Sequence, residues 1–184
     1  MWIQLQGPPR FAKIPLYTGI RRVITVSAKL LPIKSPVGGR FCSVDEHATA
    51  FSRNQLFGRG PIIDVTGNQI VAPFAGTIKS LSSSGDFIQL LPDSAPPKIT
   101  LTLLLGSGEN FQAHAAITRH CRNGDAVNEG QPLLTLNQPA LRAGDPQQSR
   151  LSVLMQCNLT LSWPTSGTVS VLDNLIYEEE TQTS

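Results

Sequence analysis

An all-β domain is what the sequence predicts, on three observations. Fifteen glycines and 14 prolines occur in 184 residues, roughly one residue in six against an average near 12%, so turns cut the chain into short pieces. The apolar runs are strand-sized, as at Leu101 to Leu105, and none approaches the ~18 residues that a membrane helix needs. Finally, one short pattern recurs three times: proline, two residues, glycine, then apolar residues two and five positions further on. Pro36-Val-Gly-Gly39 leads to Phe41 and Val44, Pro73-Phe-Ala-Gly76 to Ile78 and Leu81, and Pro164-Thr-Ser-Gly167 to Val169 and Leu172. Proline presets a turn dihedral, glycine admits the tight reversal, and a strand follows. Repetition of that unit excludes a helical bundle and points to a sandwich or barrel made of two similar halves.

The elements follow in order. Residues 1–21 form a basic arm, in which Pro8, Pro9 and Pro15 prevent a long amphipathic helix. Arg22 to Ala28 (RVITVSA) reads as a first strand because of its β-branched residues. The three turns and their strands come next. A further segment, Gly124 to Leu136, holds a Gly-Asp turn, a second turn at Gly130 and a strand. Residues 137–150 are a polar excursion with room for one helical turn, and residues 178–184 are an acidic tail. The domain proper is therefore expected over 22–177.

Charge is unevenly spread. Residues 1–44 carry Arg10, Lys13, Arg21, Arg22, Lys29, Lys34 and Arg40 and no acid, although the whole chain has a formal charge of only +2. Such an arm is suited to weak contact with an anionic membrane surface. Interleaved aromatic and basic residues of the RNA-binding kind are absent, so nucleic acid is not the expected partner.

The reactive residues exclude several chemistries. Cys42, Cys121 and Cys157 are odd in number and form no C-x-x-C pair, and with no secretory apolar segment ahead of them they read as reduced thiols of a cytoplasmic protein. His114, His120 and Cys121 do not have a zinc spacing, and no fourth ligand is evident. No metal or other cofactor is expected. The absence of H-x-H rules out the zinc site of LytM-type peptidases, and the absence of G-x-S-x-G removes the serine-hydrolase reading. A biotinyl or lipoyl carrier needs an exposed hairpin lysine among small residues or methionines, and Lys98, between Pro96-Pro97 and Ile99, does not match.

One family does resemble the order of these pieces. SPVGG (35–39), Gly58-Arg-Gly60, the string TGNQIVAPFAGTI (66–78), Leu103-Leu-Leu-Gly106, GDAVNEGQPLL and Ser152 to Asn158 resemble the glucose-type IIA component (EIIA) of the bacterial phosphoenolpyruvate:sugar phosphotransferase system. The resemblance covers roughly 22–177 and implies an all-β sandwich of two related halves, a duplicated hybrid motif of the barrel-sandwich type. In that family a phosphoryl group passes through one histidine while a second hydrogen-bonds beside it. Imidazole suits the task, because its neutral nitrogen is nucleophilic near neutral pH.

Carried onto this chain, both histidine positions are altered. Without a gap the first falls at Asp86, or at Gly85 with one deletion, and the second falls at Leu104, two residues before Gly106. His47, His114 and His120 stand at neither position. Asp86 lies in SSSGD, a turn composition without the neighbouring carboxylates that a magnesium-dependent aspartyl phosphate needs. The acidic positions that face the basic phosphocarrier HPr correspond to Thr49 and Gly108, and the family's Gly-Asp-Gly reads Gly58-Arg59-Gly60, so steering of a basic partner is weakened.

The expectation is thus an EIIA-like module that is not an enzyme and serves regulation or binding of another protein. Its alternative is an active phosphocarrier passing phosphoryl groups from HPr to a sugar permease, with the nucleophile elsewhere. The expected binding face comprises Phe51, Asp86, Phe87, Leu104 and Gly106. Alternation along a strand lets only one of Phe87 and Ile88 reach it, and the depression over Leu104 is expected to stay open as an apolar patch.

Overall fold

Eleven strands in two antiparallel sheets are formed by residues 32–43, 55–93, 99–106, 114–157 and 161–175, the parts that the computed structural model describes. In chain order they are β1 (Gly39–Cys42), β2 (Ile62–Val65), β3 (Gln69–Val71), β4 (Gly76–Leu81), β5 (Phe87–Pro92), β6 (Thr100–Leu105), β7 (Ile117–Arg119), β8 (Ala126–Val127), β9 (Pro132–Leu136), β10 (Arg150–Gln156) and β11 (Thr168–Val169). The larger sheet runs β11-β1-β2-β10-β6-β5-β4-β8, and the smaller β3-β9-β7. The basic arm, the strand expected at Arg22 to Ala28, Val44, His47, Thr49, Phe51, Lys98, Gly108 and the acidic tail lie outside the described residues.

Each Pro-x-x-Gly turn leads directly into a strand, namely β1, β4 and β11. The glycines serve in two different ways. Gly167 has φ 94°, the conformational role expected of it. Gly39 and Gly76 instead lie against a neighbouring strand, where a Cβ would come within 2.3 Å of Asp64 O and 2.2 Å of Leu91 O. At these two turns it is the missing side chain that matters, because the adjacent carbonyl occupies its place.

The polar excursion holds more helix than one turn. α1 (Gln138–Gly144) starts at Asn137, whose side chain accepts from Ala140 N at 3.3 Å, and a 3-10 turn (Pro146–Ser149) is capped by Asp145. Leu141, 1% exposed, anchors the helix in the core. A single buried leucine among polar residues gives little periodicity to read, whereas capping and burial together sustain two turns.

Between the sheets lie Ile63, Val65, Ile88, Leu90, Leu101, Leu103, Leu105, Leu151 and Val153 from the larger one, and Ile70, Leu134 and Leu136 from the smaller. Leucine positions alternate as a pleated strand requires. β6 and β10 pair about Val153 opposite Leu103, with Leu151 opposite Leu105 and Met155 opposite Leu101. This register maps onto itself when the two strands are exchanged. The repeated turns fix which exchange holds: Ile78, two residues after Gly76, pairs with Leu90 and Leu90 with Leu101, as Phe41, two residues after Gly39, pairs with Ile63 and Ile63 with Leu151. An approximate two-fold axis therefore passes through the Val153–Leu103 pair, and the two halves inferred from the repeated turn are visible in the register.

Candidate functional site

The β5–β6 pairing brings Asp86 and Leu104, the two positions singled out by the resemblance, together. Phe87 stands opposite Leu104, and Leu105 N donates to Asp86 O at 2.7 Å. Gly106, with φ 74°, ends β6 and donates its N–H to Arg150 O at 2.7 Å. Asp86, Phe87, Leu104 and Gly106 are thus one cluster, at the end of the β5–β6 pair farthest from the connection between those strands.

Asp86 is a turn residue held by its neighbours. Ser82 Oγ donates to Asp86 Oδ1 at 2.6 Å, and Ser84 Oγ donates to the same oxygen. Gly85 N and Phe87 N in turn donate to Ser82 Oγ, each at 3.1 Å. The turn needs glycine at 85, where φ is 80° and a Cβ would lie 2.8 Å from Ile117 Cγ2. β7 accordingly packs on this turn, and Arg119 Nη1 donates to Ser82 O at 3.4 Å. A carboxylate so arranged is an acceptor of hydroxyl protons. Among the described residues no group of three or more His, Cys, Asp and Glu is placed to hold a metal ion.

Leu104 is 3% exposed and does not belong to the cluster between the sheets. It lies on the opposite face of the larger sheet, with Ile62, Thr102, Ser152 and Leu154, all of which are also buried. The expected depression open at Leu104 is therefore corrected: this leucine is covered, and its apolar side chain is at ease there. Alternation does separate Phe87 from Ile88. Ile88 enters the core at 1% exposure, while Phe87 is half-buried and meets Phe57 edge to face, with ring centroids 5.2 Å apart. Phe57 was not singled out from the sequence. Its position, directly before Gly58-Arg59-Gly60, is the one available cue.

Of the three histidines, His120 has described side-chain surroundings. His120 is exposed with Nε2 2.7 Å from Thr135 Oγ1. His114 begins a 3-10 turn. Beside His120, the Cys121 thiol is buried 3.8 Å from Leu133 O. Burial, helped by Asp125 and opposed by Arg119, pushes this thiol above its ordinary range, which is the behaviour of an inert core cysteine.

Arg59 has a backbone geometry that mirrors Asp86. Met155 N donates to Arg59 O at 2.8 Å, just as Leu105 N donates to Asp86 O, and Met155 is the two-fold counterpart of Leu105. The glycines on either side are required by contact with β10, since a Cβ at Gly58 would lie 2.0 Å from Met155 O and one at Gly60 1.7 Å from Val153 O.

This all-β architecture, with its two antiparallel sheets and repeated turns, defines a IIA-type sandwich. The sequence model of the phosphoenolpyruvate-dependent sugar phosphotransferase system, EIIA 1, matches residues 31–158, and the chain belongs to that family. Among solved structures, glucose permease IIA from Mycoplasma capricolum is similar, with a TM-score of 0.69 and 18% sequence identity over 79% of this chain and 94% of that one. At this identity the likeness speaks to the fold. No curated protein matches the sequence significantly. Among the described residues no helix is long and apolar enough to cross a membrane.

Proposed function

We propose that this chain is an EIIA module that binds or regulates a partner protein in the bacterial cytoplasm and carries no phosphoryl group on histidine. The observation that carries this reading is the pair Asp86 and Leu104. Neither side chain is an imidazole, and without an imidazole nucleophile the phosphohistidine route is lost. Asp86, bonded to Ser82 and Ser84, offers a polar rim beside which Phe87 and Gly106 are proposed contact residues, with Leu104 beneath as support; Phe51, outside the described residues, is proposed as a further contact. The basic arm adds a proposed weak contact with anionic lipid, which would diminish as salt screens it over about 8–10 Å.

The alternative, an active phosphocarrier, draws on a different observation: β7, flanked in sequence by His114 and His120, packs against the Asp86 turn. One experiment separates the two. The protein is incubated with enzyme I, HPr and labelled phosphoenolpyruvate, then examined for acid-labile phosphohistidine. No labelling is expected. Stoichiometric label on His47, His114 or His120 would establish the carrier, and a hydroxylamine-sensitive label on Asp86 would establish an aspartyl phosphate instead.

A further inference from the structure

Gly58 and Arg59 border a cavity of about 300 Å³, whose walls also include Gln55, Met155, Gln156, Leu161 and Trp163. We propose that this cavity binds a small organic anion, its carboxylate or phosphate group on Arg59 and its apolar body against Met155, Leu161 and Trp163.

The volume lies at the lower end of small-molecule sites, which run from about 300 to 1,000 Å³. The lining has the matching chemistry: an aromatic ring and two apolar side chains beside a few polar groups, with one cation and no acid among the described residues of the walls. Arg59 is also fixed in place. Its backbone exchanges two hydrogen bonds with Met155, at 3.1 and 2.8 Å, and the flanking glycines seat it directly on β10. Arg59 Nε donates to Gln55 Oε1 at 2.8 Å. That bond orients the guanidinium plane and leaves its terminal nitrogens, which have no partner among the described residues, as a fork. A planar fork is suited to two parallel bonds with a carboxylate or phosphate, and a positioned donor loses little freedom when the anion arrives.

The two-fold relation adds a second argument. Arg59 occupies the position that Asp86 holds in the other half, so the two ends of the exchange carry opposite charge. One end is suited to accept hydrogen bonds and the other to donate them. The cavity therefore does not depend on the function proposed for the Asp86 face, and its test stands independently of phosphotransfer.

The chain has two tryptophans, Trp2 and Trp163, so a Trp2→Phe background isolates the fluorescence of Trp163. The full chain is titrated with phenyl phosphate, benzoate, glucose 6-phosphate and the uncharged benzyl alcohol. Saturable change is expected with at least one anion, with a Kd at or below about 1 mM. The preferred anion distinguishes phosphate from carboxylate and an aromatic from a sugar body. Arg59→Gln is expected to weaken binding at least tenfold, whereas Arg119→Gln, in the β7 strand, leaves it unchanged. Failure of every anion to saturate, equal binding by benzyl alcohol, or undiminished binding by Arg59→Gln would overturn the proposal. Should Arg59→Gln fail to fold, amide shifts of the parent protein decide the matter: they are expected at Gly58, Gln156 and Trp163, and shifts elsewhere alone overturn it.

Discussion

Pro36 and Pro73 are joined by a reciprocal pair of hydrogen bonds: Val71 N donates to Pro36 O at 2.9 Å, and Lys34 N donates to Pro73 O at 3.2 Å. Each donor stands two residues before the proline of its own turn. The reciprocity continues outward. Leu172 N donates to Ser35 O at 2.9 Å, and Gly130 N to Ala72 O at 2.8 Å. Val169 stands opposite Gly39 as Val127 stands opposite Gly76. The two halves are therefore bolted together at their repeated turns, and corresponding residues can be assigned one by one.

That assignment makes Leu172 the counterpart of Gly130, and both are left-handed, with φ 68° and 78°. A leucine pays about 1–2 kcal/mol for this conformation, while glycine costs about 0.5–1 kcal/mol in chain entropy. Leu172 is 37% exposed, so its truncation loses modest packing. Leu172→Gly is expected to stabilise the protein by about 0.5 kcal/mol, and Gly130→Ala to destabilise it by about 1 kcal/mol. Urea denaturation of both variants checks the pair, and a destabilised Leu172→Gly would contradict the equivalence.

The glycines around Arg59 are a sharper case. Gly58→Ala and Gly60→Ala each drive a methyl into the β10 backbone, at 2.0 and 1.7 Å before relaxation. Each is expected to cost more than about 2 kcal/mol. Gly67→Ala, with nothing within 4 Å of the added Cβ, should change stability by about 0.5 kcal/mol at most. Thermal unfolding of the three variants distinguishes crowding from a general intolerance of alanine in turns.

Much of this was legible from the residues. The turns at Pro36, Pro73 and Pro164, the strand at Leu101 to Leu105 and the Gly124 to Leu136 segment are local patterns, and local patterns survive in one dimension. The clustering of Asp86 with Leu104 came through the family string and agrees with the β5–β6 register. What stayed hidden depends on distant contacts. Nothing near Gly39 in the sequence announces that Asp64 O occupies the space of its side chain. The burial of Leu104 follows from coverage of the outer sheet face, which strand periodicity cannot report when both faces are apolar. Arg59 read as a lost acid, and only the fold shows the cavity it borders.

Cys121 predicts an alkaline response. Its thiol is raised from an ordinary 9.0, chiefly by burial. Above that value the unfolded chain holds fewer protons at this site than the native one, so stability falls as pH rises. The contribution is complete below about pH 9 and lost as pH climbs toward the folded value. Cys121→Ala is expected to show a shallower alkaline loss of stability than the parent between pH 8 and about pH 10.5. Ellman's reagent should also find Cys42 and Cys157, both half-buried, faster than Cys121; rapid reaction of three thiols in the folded protein would contradict the burial.

Leu104→His tests what the altered site costs. At 3% exposure, between Phe87 on β5 and Ser152 on β10, an imidazole loses the transfer energy of leucine and must find partners for two nitrogens. The expected loss is about 2–4 kcal/mol, growing as pH falls below about 6.5 because a buried imidazolium is costlier still. Asp86→His forfeits the bonds from Ser82 and Ser84 but stays at a half-buried turn, so it should cost about 1 kcal/mol. The two substitutions together are expected to give a folded, weakened protein that HPr does not label, since an imidazole placed at 104 would be covered. Label appearing on that introduced ring would show that the cover opens when the partner docks, and that the family's phosphotransfer face persists beneath an altered pair of side chains.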